Sequence, residues 1–134
     1  MIGHYLLFNR NCAEAVETYA KAFDAKVIQM QRYRDMPPNP AFPVSEADKD
    51  LVLHGRLDIN GEGLLCADSA RTLEAGTNMY VSIFTPDAAV ATKAWAVLKE
   101  GGEVYMELAP AFFADLHGSL RDRFGINWMF TVHK

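Results

Sequence analysis

The residues best suited to chemistry in this 134-residue chain are its four histidines, its two cysteines and two arginines that keep company with histidine. His54-Gly55-Arg56-Leu57 recurs as His117-Gly118-Ser119-Leu120, with Arg121 following directly. In an extended strand successive side chains alternate faces, so His54 shares a face with Arg56, and His117 with Arg121. A histidine that titrates near neutral pH beside a guanidinium could hold an anionic or carbonyl-bearing small molecule. The competing reading is a polar sheet face closed by salt bridges to Asp58 and Glu107. Cys12 stands at the start of a helical pattern, where a thiolate would be stabilised. A nucleophile also needs a base within reach, and no spacing here supplies one, so Cys12 reads as a small buried thiol. Cys66 falls in a strand pattern, where it lines a cleft or packs the core. His133, beside terminal Lys134, reads as an exposed tail residue.

These residues must be positioned by elements that the chain writes twice. Placing Phe8 over Phe84 aligns the next 23 residues without a gap, with Tyr19 on Trp95, Ile28 on Val104 and Met30 on Met106. The order of events repeats as well: strand, helix, strand, H-G-x-L strand, glycine turn (Gly61, Gly125), strand. Asn11 with Glu14 predicts a capping-box start for the first helix, whose buried face is Val16, Tyr19, Ala20 and Phe23. For the second helix the expectation is a Thr85 cap, Pro86 in the first position and Asp87 at the positive end. Its buried stripe is Val90, Ala94, Val97 and Leu98, and Gly101-Gly102 stops it. The last strand sets Ile126, Trp128 and Phe130 against Asn127, Met129 and Thr131.

Half the residues are hydrophobic, 22% are charged, and the formal net charge is −4. That balance is globular, and without a basic cluster it speaks against nucleic acid and anionic membrane as partners. No apolar run reaches the ~20 residues that span a bilayer, and no leader pattern precedes the first strand, so the expected address is cytoplasmic. Two cysteines are too few for a disulfide framework. The segment from Asp35 to Asp50 holds four of the six prolines, with Met36, Phe42 and Val44, and reads as a lid, an arm onto a second subunit or a stiff loop. Ala109 to Leu116, with Phe112 and Phe113, reads as a second irregular stretch and an opposite rim.

Taken in order, Tyr5-Leu6-Leu7-Phe8-Asn9-Arg10-Asn11-Cys12, Asp35-Met36-Pro37-Pro38, Phe42-Pro43-Val44, His54, Ala67-Asp68 and Asp122-Arg123-Phe124-Gly125-Ile126-Asn127-Trp128-Met129 resemble the glyoxalase/bleomycin-resistance/dioxygenase (vicinal oxygen chelate) superfamily, in its PhnB-like branch. Some members of that branch carry a 3-demethylubiquinone-9 3-methyltransferase label. Phe113-Ala114 departs from the Trp-Gly usual there. The resemblance implies an α+β fold: two βαβββ repeats forming a curved mixed sheet, helices on its outer face, in a single domain over 1–134 (repeats about 2–68 and 77–132). It also implies a metal position on each of four strands. These map onto His4, onto Cys66 or Asp68, onto Asn78 or Tyr80, and onto Met129, where a thioether replaces the usual glutamate. A thioether is a poor ligand for a hard divalent ion.

The resulting expectation is a homodimer that binds a small molecule without a cofactor, in a metal-free cleft. The cleft candidates are His4, His54, Arg56, Cys66, Asp68, Asn78, Tyr80, His117, Arg121 and Met129. One alternative is a lyase, isomerase or dioxygenase that uses a divalent metal through His4 and Asp68. Another is a protein-interaction module. Methyl transfer is disfavoured, because a nucleotide-type donor site belongs to an open parallel α/β sheet and this repeat leaves no room for one.

Overall fold

In the computed structural model, which describes residues 2–134, the chain runs β1 (Tyr5–Phe8), α1 (Cys12–Phe23), β2 (Lys26–Arg32), β3 (Val52–Ile59) and β4 (Glu62–Asp68). The same order then repeats as β5 (Val81–Thr85), α2 (Ala88–Leu98), β6 (Glu103–Ala111), β7 (Ala114–Arg121) and β8 (Asn127–Val132). Backbone pairing divides the strands into two four-stranded mixed sheets, ordered β1-β4-β3-β2 and β5-β8-β7-β6. In each, the first strand runs parallel to the fourth and the other pairs are antiparallel. Two compact units follow, one of residues 1–20 with 25–73 and one of 21–24 with 74–134. The repeat read from the sequence is thus present element by element, as two sheets.

In the first unit Cys12, Ala15, Val16 and Tyr19 of α1 are buried together with Phe8, Leu57, Leu64 and Cys66, and the Phe8 and Tyr19 rings lie 6.2 Å apart. Burying each large side chain of this kind is worth about 1.5–3 kcal/mol. In the second, Ala91, Ala94, Trp95 and Leu98 of α2 are buried with Leu120, Trp128, Phe130 and Val132. The Trp95 and Phe130 rings meet edge to face at 5.7 Å. Phe23, in the last turn of α1, belongs to this second core, 5.5 Å from Trp128.

Three local expectations are corrected. Asn11 Oδ1 is buried with no hydrogen-bond partner among the described residues, and the Cys12 amide is held instead by the Asp68 carboxylate. On α2 the cap is Asp87, whose Oδ1 accepts from the Ala89 and Val90 amides, while Thr85 Oγ1 accepts from Asp87 N. The helix therefore starts two residues later than the Thr85 cap implied. The buried stripe is Ala91, Ala94, Trp95 and Leu98, with Val90 at 41% exposure. Finally, Ala109 to Leu116 is a hairpin of β6 and β7 with Phe112-Phe113 at its tip. Pro110 is tolerated there because β6 is an edge strand and one missing donor breaks no ladder.

Candidate functional site

In the first sheet, β1 and β3 put Tyr5, His54 and Arg56 on the face away from α1. Tyr5 Oη lies 3.0 Å from His54 Nδ1, with the rings 5.8 Å apart. Burial, then the nearby thiols and Tyr33, raises the Tyr5 pKa, so the hydroxyl keeps its proton. Arg56 lays its guanidinium across Gly63, where an added Cβ would stand 3.1 Å from Nε. His4 precedes β1 and is exposed.

Cys66 and Asp68 do not share that face. Gly55 pairs with Cys66 and is buried with it, so both point toward α1, opposite Arg56 and His54. Asp68 is 5% exposed, and its two oxygens accept from Cys12 N and Val52 N, each at 2.9 Å. One carboxylate thereby starts both α1 and β3, where the helix dipole favours negative charge. The sheet thus sets Asp68 and Cys66 apart from the candidates His54 and Arg56 on the other face.

The second sheet carries a fuller set. On β7 and β8 the pairs His117–Thr131, Ser119–Met129 and Arg121–Asn127 form a row, and β5 adds Ser82 beside Met129. This row faces away from the buried Leu120, Trp128 and Phe130. His117 Nδ1 is 3.0 Å from Thr131 Oγ1 and the Phe113 ring stands edge-on at 4.9 Å, which fixes the imidazole. Arg121 bonds Gly76 O through Nη2 at 2.9 Å and reaches Asn127 Oδ1 through Nε at 3.4 Å. Tyr105 Oη also donates to Asn127 Oδ1, at 2.9 Å, and Asn127 Nδ2 bonds Gly76 O and Met79 O. Asn78 and Tyr80 lie in the segment leading into β5, which these bonds tie down, and Tyr80 meets Tyr105 edge to face at 6.2 Å. Among the described residues no ion pair joins Arg56 or Arg121 to Asp58 or Glu107, so neither face is closed by the expected salt bridges. Tyr5, Ser82, Asn127 and Thr131 were missed as site residues, although the alternation of the last strand already put Asn127 and Thr131 on the face of Met129.

The most distinctive stretch of sequence, Asp122 to Met129, is chiefly architectural. Asp122, 3% exposed, accepts from Phe124 N and Ile126 N through Oδ1 and from Trp128 Nε1 through Oδ2. Gly125, at φ 91°, lets the chain turn there. The Arg123 guanidinium lies 4.4 Å from the Phe124 ring centroid.

The loop from Tyr33 to Lys49 is pinned to the first unit. Arg10, at φ 69°, sends Nη1 to Asp48 Oδ1 at 2.7 Å and Nη2 to Ala47 O at 2.8 Å. The hydrogen bond from Arg10 lowers the Asp48 pKa below its ordinary value. Asn9 grips Leu73 through both its N–H and its carbonyl. The loop encloses an open hollow of about 540 Å³, lined by Met36, Phe42, Val44 and the four prolines among others.

Two strand–helix–three-strand units, each with a helix on one sheet face and a polar row on the other, define the paired-module class of the glyoxalase/bleomycin-resistance fold. Residues 1–131 match the family described as 3-demethylubiquinone-9 3-methyltransferase, and the chain belongs to that PhnB-like family. It is 32% identical to protein PA1353 from Pseudomonas aeruginosa, with a TM-score of 0.82 over 95% of this chain and 92% of that one. It also resembles in fold a putative 3-demethylubiquinone-9 3-methyltransferase, PhnB protein, from Bacillus cereus (22% identity, TM-score 0.77, 97% of each chain). A mutant of the fosfomycin resistance protein FosX from Listeria monocytogenes, complexed with Mn(II) and 1S,2S-dihydroxypropylphosphonic acid, shares the fold at 11% identity (TM-score 0.62, 100% of this chain and 90% of that one).

The donors mapped for a metal do not make a hard-ion set. Asp68 is committed to two amides, Met129 offers a thioether between two serines, and His4 stands exposed before β1. Among the described residues no three His, Cys, Asp or Glu side chains converge. No helix is long and apolar enough to cross a membrane.

Proposed function

We propose that this protein binds a small anionic or carbonyl-bearing molecule on the open face of its second sheet, using protein donors in place of a metal. The observation that carries the reading is the orientation of His117 by Thr131 and Phe113, on the same row as an Arg121 already aimed by Gly76 and Asn127. Preorganised donors lose little entropy when a ligand arrives. His117 Nε2 and Arg121 Nη1 supply the charge-assisted contacts, Ser82 and Ser119 the neutral ones, and Met129 the apolar floor. Such a protein sequesters its ligand. Methyl transfer, the activity in the family's description, is set aside, because each sheet is mixed and carries no glycine-rich turn at a parallel switch point for a nucleotide donor.

The test is a titration with methylphosphonate, pyruvate and glyoxylate, read by amide chemical shifts. Shifts centred on residues 117, 119, 121, 129 and 131 are expected for at least one probe. His117→Ala and Arg121→Met should each weaken it about tenfold or more, the cost of one charge-assisted hydrogen bond. Unchanged affinity in both variants, or shifts confined elsewhere, overturns the reading. Metal analysis of protein purified without chelator separates the metal-enzyme alternative: stoichiometric Ni, Zn, Fe or Mn that is lost in His4→Ala would replace this proposal.

A further inference from the structure

The loop from Tyr33 to Lys49 belongs wholly to the first unit and shares no residue with the polar row of the second sheet. Its neck is closed by backbone hydrogen bonds, from Tyr33 N to Leu51 O at 3.0 Å and from Arg34 N to Lys49 O at 2.9 Å. The second bond sets two cationic residues side by side, and both line the hollow of about 540 Å³. Beyond the neck the lining turns apolar, with Met36, Phe42, Val44 and the four prolines. Phe42 is 55% exposed there, and a contiguous exposed apolar surface marks a site of interaction. The walls are preformed. Proline fixes φ at four positions, Phe42 N bonds Asn39 O at 2.9 Å, and Ala41 N bonds Asn39 Oδ1 at 3.0 Å. Arg10 holds the far end through Asp48 and Ala47.

We propose that this hollow binds a small amphipathic carboxylate, its apolar body against Met36, Phe42 and the prolines and its carboxylate on Arg34 and Lys49. Hollows of a few hundred Å³ with an apolar lining and a few converging polar groups are the size and kind that hold small molecules. Charge selects the class. Among the lining residues Arg34 and Lys49 stand against Glu46 alone. Arg34 pairs with Asp50 and Lys49 with Glu46, but those carboxylates are 62% and 89% exposed. Exposed pairs of this kind hold weakly, so an arriving carboxylate exchanges with them. A polyphosphate needs more cations than these two, and an uncharged apolar molecule leaves both unused. Preformed walls lose little entropy when the ligand enters.

The experiment titrates the full chain with octanoate, 1-octanol and acetate, each kept below the concentration at which it aggregates, and reads amide chemical shifts. Octanoate should give saturable shifts centred on residues 33–49. The uncharged 1-octanol should bind there about tenfold more weakly. Acetate, which keeps the charge and lacks the chain, should give no saturable shift. Replacing both cations, Arg34→Met with Lys49→Met, should bring octanoate down to the affinity of 1-octanol. Phe42→Ser should weaken both ligands about fivefold. The three side chains are each about half exposed, and an unchanged spectrum outside the loop shows that the variants fold. The proposal is overturned by no saturable shift in 33–49, by equal affinity for octanoate and 1-octanol, or by unchanged octanoate affinity in the variants. Loop amides that shift with protein concentration alone and ignore octanoate overturn it equally, since a second copy of the chain then fills the hollow.

Discussion

Replacing Asp68 by alanine tests most directly what that carboxylate does. Its two oxygens take the amides of Cys12 and Val52 at 2.9 Å each, in a residue only 5% exposed. Truncation strands two buried N–H groups at about 1–3 kcal/mol apiece. It also removes a negative charge from the start of α1, worth about 0.3–2 kcal/mol. Asp68→Ala should therefore cost about 3–6 kcal/mol, a large share of the roughly 5–15 kcal/mol that holds a domain together. Asp68→Asn keeps one acceptor but turns an amide donor on the other N–H, so its cost should fall between, at about 2–4 kcal/mol. Asp115→Ala, at an exposed strand position, serves as the control and should stay within about 0.5 kcal/mol. Urea unfolding at constant slope reads all three. An Asp68→Ala protein within about 1 kcal/mol of its parent refutes the reasoning. So does one that keeps its stability and loses a bound metal, because Asp68 would then be a ligand and not a cap.

Two further outcomes follow from packing. At Gly118 an added Cβ would lie 2.8 Å from Leu108 Cα, 2.9 Å from Leu108 N and 3.0 Å from Met106 O, all backbone, whereas at Gly55 the tight contact would be the side-chain Cys66 Sγ at 3.0 Å, with Val52 Cγ1 and Cys66 O at ordinary contact distances of 3.6 and 3.7 Å. Gly118→Ala should cost about 3 kcal/mol and Gly55→Ala about 1 kcal/mol, with the latter relieved by Cys66→Ala; the reverse order in urea melts would sink the argument. Phe112 and Phe113 are 96% and 54% exposed at the β6–β7 tip, an apolar cost to a lone chain, and the expected state is a homodimer at micromolar concentration. Sedimentation should show the dimer, with Phe112→Asp shifting it toward monomer, and a monomeric parent would refute this.

Much of the fold was legible because its signals are local. Helical spacing around Val16 and Tyr19, the positive-φ turns at Gly61 and Gly125, and the H-G-x-L echo each depend on a few neighbouring residues. Together they established the βαβββ order and put His54 with Arg56, and His117 with Arg121, on shared strand faces. What sequence could not settle depends on distant partners. A strand residue's alternation says which residues share its face, but not which face meets the helix. Asp68 and Cys66 were grouped with the cleft residues for that reason, and only the approach of Cys12 and Val52, 56 and 16 residues away, turned them inward. The same competition moved the first helix's cap from Asn11 to Asp68, since a buried carboxylate from β4 reached the amide that a local side chain was expected to satisfy. The sequence by itself determined the elements and their repetition. Tertiary contact decided which polar groups, like Asp68 and Asp122, are spent holding the chain together and which, like His117, stay on the sheet face turned away from the helix.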